Sequence, residues 1–268
     1  MRRSIFLPVA ATLGFVFLYA PIISLVIFSF NANRLVTVWS GFSTQSYANL
    51  WSDPQLLPAT WLSLQIAAIS ATIALVLGTL CAYALVRFRR FRGRTVLQAT
   101  VSAPLVMPDV ITGLALLLLF VGMQSLIGWP SGRGVLTIVI AHATFCTAYI
   151  TVVVRSRLMD LDLSLEEAAM DLGASPVRVF FDVTLPIIAP ALISGWLLAF
   201  TLSLDDLVIA SFVSGPGSST LPMVIFSKIR LGVAPEVNAL ATIIIGFVAT
   251  GVFIATLLQL RRPRALKN

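Results

Sequence analysis

The sequence predicts an all-α integral membrane protein with six transmembrane helices and both termini in the cytoplasm. Of its 268 residues, 58% are hydrophobic and 11% are charged, whereas soluble domains carry about 25% charged residues. The mean hydropathy is +0.98, and the charged residues concentrate between long apolar segments. Lipid is therefore the predicted solvent for most of the chain.

Six apolar segments are long enough to cross a bilayer, since a hydrocarbon core about 30 Å thick requires roughly 20 residues of helix. They lie near residues 5–30, 61–86, 104–127, 134–154, 187–213 and 237–260. The first is longer than the apolar core of a signal peptide, about 7–15 residues, and is interpreted as an uncleaved helix. Pro21, Pro108 and Pro190 lack the amide proton of their turns and are expected to kink their helices.

The basic residues predict the orientation, because cytoplasmic loops are enriched in Lys and Arg. One side holds fourteen of the eighteen: Arg2, Arg3, Arg87, Arg89, Arg90, Arg92, Arg94, Arg155, Arg157, Arg178, Arg261, Arg262, Arg264 and Lys267. The other side holds Arg34, Arg133, Lys228 and Arg230. The first side is therefore predicted to be cytoplasmic. The net charge of +7 reflects this topology and does not indicate a nucleic-acid partner.

The chain is predicted to form a single permease domain over residues 1–268, with no internal repeat and no compositional boundary. It comprises the first helix at about 5–30, a core five-helix region at about 60–260 and, within that region, a cytoplasmic hairpin at about 158–186. The outer loops, 31–60 and 214–236, are rich in Gly, Pro, Ser and Trp and are expected to present a docking surface to an external protein. Cys81 and Cys146 lie inside apolar segments and are interpreted as packing residues, with no metal site.

The loop between the fourth and fifth spans has internal order that predicts a helical hairpin. Ser164, followed three residues later by Glu167, fits a capping box that begins a helix. Gly173 supplies the left-handed residue that ends it. Ser175 as N-cap and Pro176 at the first helical position begin a second short helix, which is expected to stop before Pro186. From physical chemistry alone, this hairpin is either an amphipathic connector on the lipid headgroups or a docking element for another protein.

A resemblance favours the docking element. The stretch EAAMDLGASPVRVFFDVTLP resembles the EAA loop of permease subunits in binding-protein-dependent ABC importers, without a gap in spacing. This resemblance implies a type I ABC importer permease fold, in which the hairpin contacts a cytoplasmic ATPase dimer. The implied coupling residues are Glu166, Glu167, Ala168, Ala169, Gly173 and Pro186. A phosphate-binding loop requires Gly-Lys-Ser/Thr, and neither Lys228 nor Lys267 follows a glycine, so ATP and Mg²⁺ are expected on the partner, with no cofactor in this chain.

Three acidic residues lie in or at the predicted spans, where each carboxylate costs about 2.5–3.5 kcal/mol and requires a reason. Asp109 lies near the inner end of the third span, and Asp205 and Asp206 lie on the fifth, about 27 Å from its start near Ile187. Ser203 shares a helix face with Asp206. No Lys or Arg lies in a predicted span, so these acids are neutralised by protonation, by water, by a partner subunit or by a cationic substrate that passes them.

Adjacent residues point about 100° apart on a helix, so one of Asp205 and Asp206 is expected to line a path and the other to support it. The segments APLVMPDVITG and FTLSLDDLVIASFVSGPG resemble permease subunits of polyamine ABC importers, most closely the putrescine type. This resemblance implies a polyamine substrate, a periplasmic polyamine-binding protein and a second, non-identical permease. His142, the single histidine, is expected to be a buried residue bonded to a neighbouring helix and not a proton relay.

Four other functions compete with this interpretation. An ABC importer permease for a different small substrate has the same hairpin, and an ion-coupled secondary transporter explains the acids but not the EAA spacing. An intramembrane enzyme requires a nucleophile and base or metal ligands, and the chain has one histidine and two separated cysteines. No catalytic residue is therefore predicted. A purely structural subunit would transport normally after neutralisation of the three acids.

Overall fold

A computed structural model describes residues 6–33, 38–88, 90–231 and 235–261. Within these ranges the structure is helical, apart from an isolated antiparallel bridge between Asn31 and Phe42. The helices are α1 (Phe6–Phe28), α2 (Gln45–Ser52), α3 (Leu56–Arg87), α4 (Arg94–Val106), α5 (Asp109–Ile127), α6 (Val135–Met159), α7 (Leu163–Asp171), α8 (Pro176–Val179), α9 (Leu185–Asp205), α10 (Val208–Val213), α11 (Leu221–Leu231) and α12 (Pro235–Arg261). A π-helical segment, Phe180–Thr184, joins α8 to α9.

Five helices have the length and apolar composition to cross a membrane: Phe6–Phe28, Leu56–Arg87, Asp109–Ile127, Val135–Met159 and Pro176–Asp205. They correspond to the first five predicted spans. A further apolar helix over Pro235–Gly251 overlaps the sixth. The count of six spans and the cytoplasmic location of the termini stay predictions. Several basic residues used to predict the orientation lie outside the described ranges: Arg2, Arg3, Arg34, Arg89, Arg262, Arg264 and Lys267.

The third predicted span is wrong at its start. Residues 104–127 do not form one kinked helix, because α4 ends at Val106 and α5 begins at Asp109, with Pro108 as its N-cap. A residue before proline is disfavoured in the helical region. Met107 accordingly has an extended conformation, with ψ of 136°. Pro108 therefore separates two helices.

The fifth predicted span, 187–213, is also wrong as a single helix. The helix ends at Asp205, Asp206 is extended with ψ of 122°, and α10 begins at Val208. At the other end, the second hairpin helix does not stop before Pro186, because the π-helical segment continues it directly into α9. Proline is tolerated here because it occupies the first turn of α9, whereas a proline deep inside a helix would break its hydrogen bonding.

One compact unit, Pro58–Val224, has α6 at its centre. This helix is the most buried of the five candidate spans, with 67% of its apolar window inside the protein. It packs along α9, and Cys146 lies in the core between them, with its Sγ donating to the carbonyl oxygen of Ala199. The packing interpretation of Cys146 is confirmed.

Helices α3 and α6 approach closely at Gly78. A Cβ atom at this position would lie 2.8 Å from Cγ2 of Ile150 and 3.2 Å from the carbonyl oxygen of Thr147. Ile150 is fully buried and cannot move aside. The two helices therefore require a glycine at this crossing.

Gly78→Ala is expected to destabilise the protein. Overpacking costs about 1–3 kcal/mol, which exceeds the gain in helix propensity of about 1 kcal/mol. The apparent melting temperature of the purified protein in detergent should fall by about 2–4 °C for each kcal/mol lost. Gly122→Ala in α5 is the matched control, because its Cβ would meet no atom within 4 Å. Equal melting temperatures for the two variants would contradict the close α3–α6 approach.

The other compact unit comprises Met1–Leu57 and Ile225–Asn268. Helix α12 packs against both α1 and α2, and the Asn49 amide donates to the Glu236 carboxylate over 3.2 Å. Lys228 in α11 donates to Asp53 at 2.6 Å, with 21% and 11% of the two side chains exposed. Burial acts to raise the pKa of the Asp53 carboxyl, but hydrogen bonds from Lys228, Leu56 and Gln55 outweigh it and hold that pKa below its ordinary value.

Lys228→Met is expected to cost about 2 kcal/mol at neutral pH, through loss of a charged hydrogen bond. Because the pKa of folded Asp53 is lowered, its contribution to stability is present above the ordinary value of 3.8 and is lost as the pH falls further. The difference in melting temperature between wild type and Lys228→Met should therefore be full at pH 7 and shrink below about pH 4. A difference that does not depend on pH would contradict this ion pair.

Candidate coupling hairpin and acidic helix break

The coupling hairpin, residues 158–186, begins with a cap that the sequence analysis misplaced. The N-cap of α7 is Asp162, not Ser164, and its carboxylate accepts from the amide of Ser164 over 3.0 Å. The backbone and side chain of Ser164 lower the pKa of the Asp162 carboxyl. Either residue type is a good N-cap, and Asp162 takes the position because its backbone is extended, with ψ of 120°.

The turn of the hairpin has the predicted geometry. Gly173 has φ of +88°, its amide donates to the carbonyl of Met170 over 2.9 Å, and the amide of Ala174 donates to the carbonyl of Ala169 over 3.1 Å. These two bonds form a Schellman motif, which requires a left-handed residue at this position. Ser175 then caps α8 by accepting from the amide of Arg178. The predicted end of the first helix and start of the second are both confirmed.

One face of the hairpin is open to an external partner. Glu167, Ala168, Gly173 and Pro186 are exposed, and Ala169 is half-buried. Large apolar side chains on α7 and in the turn are exposed with them: Leu163, Leu165, Met170 and Leu172. Leu172 is 90% exposed. The hairpin thus presents exposed apolar side chains together with small residues, a composition that suits a protein-docking surface.

Glu166 is buried on α7, whereas its neighbours Glu167 and Ala168 are exposed. Its side chain is 9% exposed, and its Oε1 accepts from Nη2 of Arg87 over 2.8 Å and from Oγ1 of Thr184 over 2.7 Å. Arg87 and Thr184 were not predicted from the sequence as partners of this carboxylate. The sequence did indicate that the two acids have different roles, because Glu166 and Glu167 are adjacent and do not face the same surface of a helix.

A second site, the acidic helix break, lies where α9 ends and α10 begins. Asp206 caps α10, since its carboxylate accepts from the amides of Ile209 and Ala210 over 3.2 and 2.7 Å. Its Oδ2 also lies 3.2 Å from Nε2 of His142, with 8% of the Asp206 side chain exposed. The Nδ1 of His142 lies 2.6 Å from Oγ of Ser203. These contacts give the buried carboxylate three hydrogen-bond donors.

His142 is fully buried and joins α6 to α9, so the expectation of a histidine bonded to a neighbouring helix is confirmed. The Nε2 atom of His142 lies within hydrogen-bond distance of Oδ2 of Asp206. This pair was not predicted from the sequence, where only Lys and Arg of the spans were considered as partners of the acids within this chain. Ser203 is buried in the same cluster.

Asp205, in contrast to Asp206, is exposed at the end of α9. Thr201, one turn before it, is exposed on the same side. Asp109 is also exposed, at the first position of α5. A Cβ at Gly113, one turn later, would lie 3.3 Å from the Cα atom of Ile209, so the first turns of α5 approach α10 closely. Asp109 and Asp205 are therefore both exposed, each at the terminus of its helix.

The fold and these two sites define a helical transport subunit with an exposed hairpin. The family model described as "Binding-protein-dependent transport system inner membrane component" matches residues 74–267, and the chain belongs to this family. It is therefore a multi-pass protein of the inner membrane, as its composition predicted.

Similar proteins include characterised permeases. The putrescine transport system permease protein PotI of Escherichia coli K12 is 63% identical over 252 residues, which cover 94% of this chain and 90% of PotI. The spermidine/putrescine transport system permease protein PotC of the same strain is 42% identical over 231 residues, covering 86% and 85%. The predicted resemblance to permeases of polyamine importers is confirmed.

Solved structures share the fold. A bacterial ABC transporter involved in the import of alginate aligns with a TM-score of 0.72 at 20% identity, over 98% of this chain and 99% of that chain. The MetNI methionine ABC transporter, in inward facing conformations, aligns with a TM-score of 0.62 at 16% identity, over 78% and 94%. At these identities the structures establish the fold alone, which is the predicted type I ABC importer permease fold.

Proposed function

We propose that this chain is a transmembrane subunit of an ATP-driven importer that moves putrescine and related polyamines across the inner membrane. The observation that carries the proposal is the 63% identity to the putrescine permease PotI along 94% of the chain. The exposed carboxylates Asp109 and Asp205 support it, because a diamine is a dication that requires negative charge where it leaves water.

In this proposal Asp205 lines the path and Asp206 supports it. Asp205 is exposed and forms no ion pair within the described residues. The carboxylate oxygens of Asp206 are occupied inside the protein by His142 and by the first amides of α10, from which they accept. A substrate ammonium would therefore find an uncompensated charge at Asp205, whereas Asp206 holds the helix break that places Asp205 at the surface. Ser203 acts through His142 and not by contact with substrate.

The partners in this proposal follow from the hairpin and the family. A cytoplasmic ABC ATPase dimer binds ATP and Mg²⁺ and contacts the exposed hairpin face around Glu167 and Gly173. A second, non-identical permease completes the path, and a periplasmic polyamine-binding protein delivers the substrate. This chain performs no covalent chemistry and needs no cofactor of its own. ATP binding and hydrolysis in the partner then alternate the path between outward and inward access.

Uptake by the whole importer tests the substrate. The chain, its ATPase, the second permease and the binding protein are reconstituted in proteoliposomes, and ATP-dependent uptake of labelled putrescine is measured with spermidine and alginate oligosaccharide as competitors. We expect uptake that requires both ATP and the binding protein, is competed by the polyamine and is insensitive to the sugar. Omission of the binding protein is the control. If the importer takes up a different solute and no putrescine, the chain is still a subunit of an importer, but the proposal of a polyamine substrate is wrong.

A further inference from the structure

We propose that Arg87, Glu166 and Thr184 form a buried joint through which movement of the coupling hairpin reaches the membrane helices, so that Glu166 is a positioning residue and not a docking residue. The inference rests on the proposed contact of the hairpin with an ATPase. A single carboxylate oxygen, Oε1 of Glu166, holds the other two side chains, at 2.8 Å from Arg87 and 2.7 Å from Thr184.

The joint connects three elements that are remote in sequence. Glu166 belongs to the first turn of α7, Arg87 to the last turn of α3 and Thr184 to the end of the π-helical segment that leads into α9. The hairpin is therefore fixed to two long helices at one point. A displacement of α7 must either carry the ends of α3 and α9 with it or separate a buried ion pair.

An aromatic contact fixes the same elements one turn away. The rings of Tyr83 and Phe180 meet edge to face, with centroids 5.1 Å apart. Tyr83 precedes Arg87 by one turn of α3, and Phe180 begins the π-helical segment. This direct ring contact and the bridge from Arg87 through Glu166 to Thr184 both connect α3 with the segment, and together they resist rotation as well as translation. The region consequently moves as one body with the hairpin.

The π-helical segment gives this connection its shape. The amide of Leu185 donates to the carbonyl of Phe180, five residues earlier, in place of the usual four-residue spacing. Single π turns inside helices occur frequently at functional positions. Here the π turn allows α8 to continue into α9 without a loop, so the second arm of the hairpin and the membrane helix form a continuous rod. A loop would absorb the movement that this rod transmits.

Burial distinguishes this ion pair from an ordinary one. Side-chain exposure is 12% for Arg87 and 9% for Glu166. The same hairpin carries a second pair, Arg178 with Asp182, whose side chains are 75% and 60% exposed. Exposed ion pairs are screened by solvent and contribute little to stability. Removal of one partner from a buried pair, in contrast, leaves a buried charge without compensation. The exposed pair is therefore a matched control within one element.

The joint is tested by the ratio of solute moved to ATP hydrolysed. Glu166→Gln and Arg87→Met are compared in the reconstituted importer with the control Arg178→Met/Asp182→Asn. Thr184→Val removes only a hydroxyl, and Thr184→Ser restores it. We expect putrescine uptake per ATP to fall about tenfold for the first two variants, within the range of about 5–150-fold for coupled sites, and about threefold for Thr184→Val. The rate of ATP hydrolysis without the binding protein should stay near the wild-type rate in these variants. Putrescine uptake per ATP should stay near wild type in the exposed-pair control and in Thr184→Ser.

A second readout does not depend on the substrate. Addition of the binding protein should stimulate ATP hydrolysis in the wild type and in the exposed-pair control, but not in Glu166→Gln or Arg87→Met. If the wild type is stimulated and yet moves no putrescine, the proposed substrate fails, while the joint stands provided that Glu166→Gln and Arg87→Met are not stimulated. Unchanged coupling in Glu166→Gln and Thr184→Val would overturn the joint. Loss of assembly, or equal losses of hydrolysis and uptake, would assign the cluster a structural role and overturn it as well.

Discussion

Asp205→Asn is expected to reduce ATP-driven putrescine uptake by about 10–100-fold, because it removes a charged hydrogen bond worth about 1.5–3 kcal/mol to the passing ammonium. The side chain keeps its size and polarity, and it is exposed, so folding should be unaffected. Uptake and assembly of the importer are measured together. We expect the amount of assembled complex to match the wild type.

Three further variants at the acidic helix break are compared with Asp205→Asn: Asp205→Glu, Asp206→Ala and Asp206→Asn. Asp205→Glu keeps the charge and should retain a substantial part of the uptake. Asp206→Ala removes the cap of α10 and leaves His142 without its acceptor, so it should lower stability and assembly. If Asp206→Asn loses uptake while Asp205→Asn transports normally, the two roles are reversed: Asp206 lines the path and Asp205 supports it.

Gly173→Val is expected to abolish the coupling of ATP hydrolysis to transport, whereas Gly173→Asn should retain most of it. The glycine has φ of +88°, a conformation that costs an ordinary residue about 1–2 kcal/mol and that Asn accepts more readily. A β-branched side chain is the least compatible with it. The Schellman bonds to Met170 and Ala169 should then be lost, and the exposed hairpin face with them.

The comparison at Gly173 separates backbone strain from crowding. A Cβ atom at this position would meet no atom of this chain within 4 Å, so any internal effect comes from the backbone. Co-purification of the ATPase and hydrolysis stimulated by the binding protein are measured for Gly173→Asn, Gly173→Ala and Gly173→Val. If backbone strain is the cause, the loss of ATPase co-purification and of stimulated hydrolysis should increase in that order. Equal losses in all three would show instead that a partner surface approaches too closely for any side chain.

The acidic helix break and the coupling hairpin each contain two adjacent acidic residues with different environments. Asp206 uses its hydrogen bonds inside the protein, and the break that it caps leaves Asp205 at the surface. At the hairpin, Glu166 likewise uses its carboxylate inside, and its neighbour Glu167 is left exposed. In each pair of adjacent acids, one side chain lies inside the protein and its neighbour is exposed.

The features that the sequence predicted correctly are local or compositional. The length and polarity of apolar segments determine which solvent a helix prefers, and five of the six predicted spans correspond to helices able to cross a membrane. Gly173, Ser175 and Pro176 act through backbone groups within a few residues, so the turn could be placed from their order alone. The EAA spacing identified the family for the same reason.

Tertiary structure decided which acids are exposed and what the buried ones contact. His142 and Asp206 are 64 residues apart, and Arg87 and Glu166 are 79 apart, so no local pattern pairs them. The breaks at Met107 and Asp206 were also missed, because an apolar segment has the same composition whether one helix or two cross it. Hydrophobicity indicates whether a segment lies in lipid or in water, whereas the environment of each carboxylate depends on the helices packed around it.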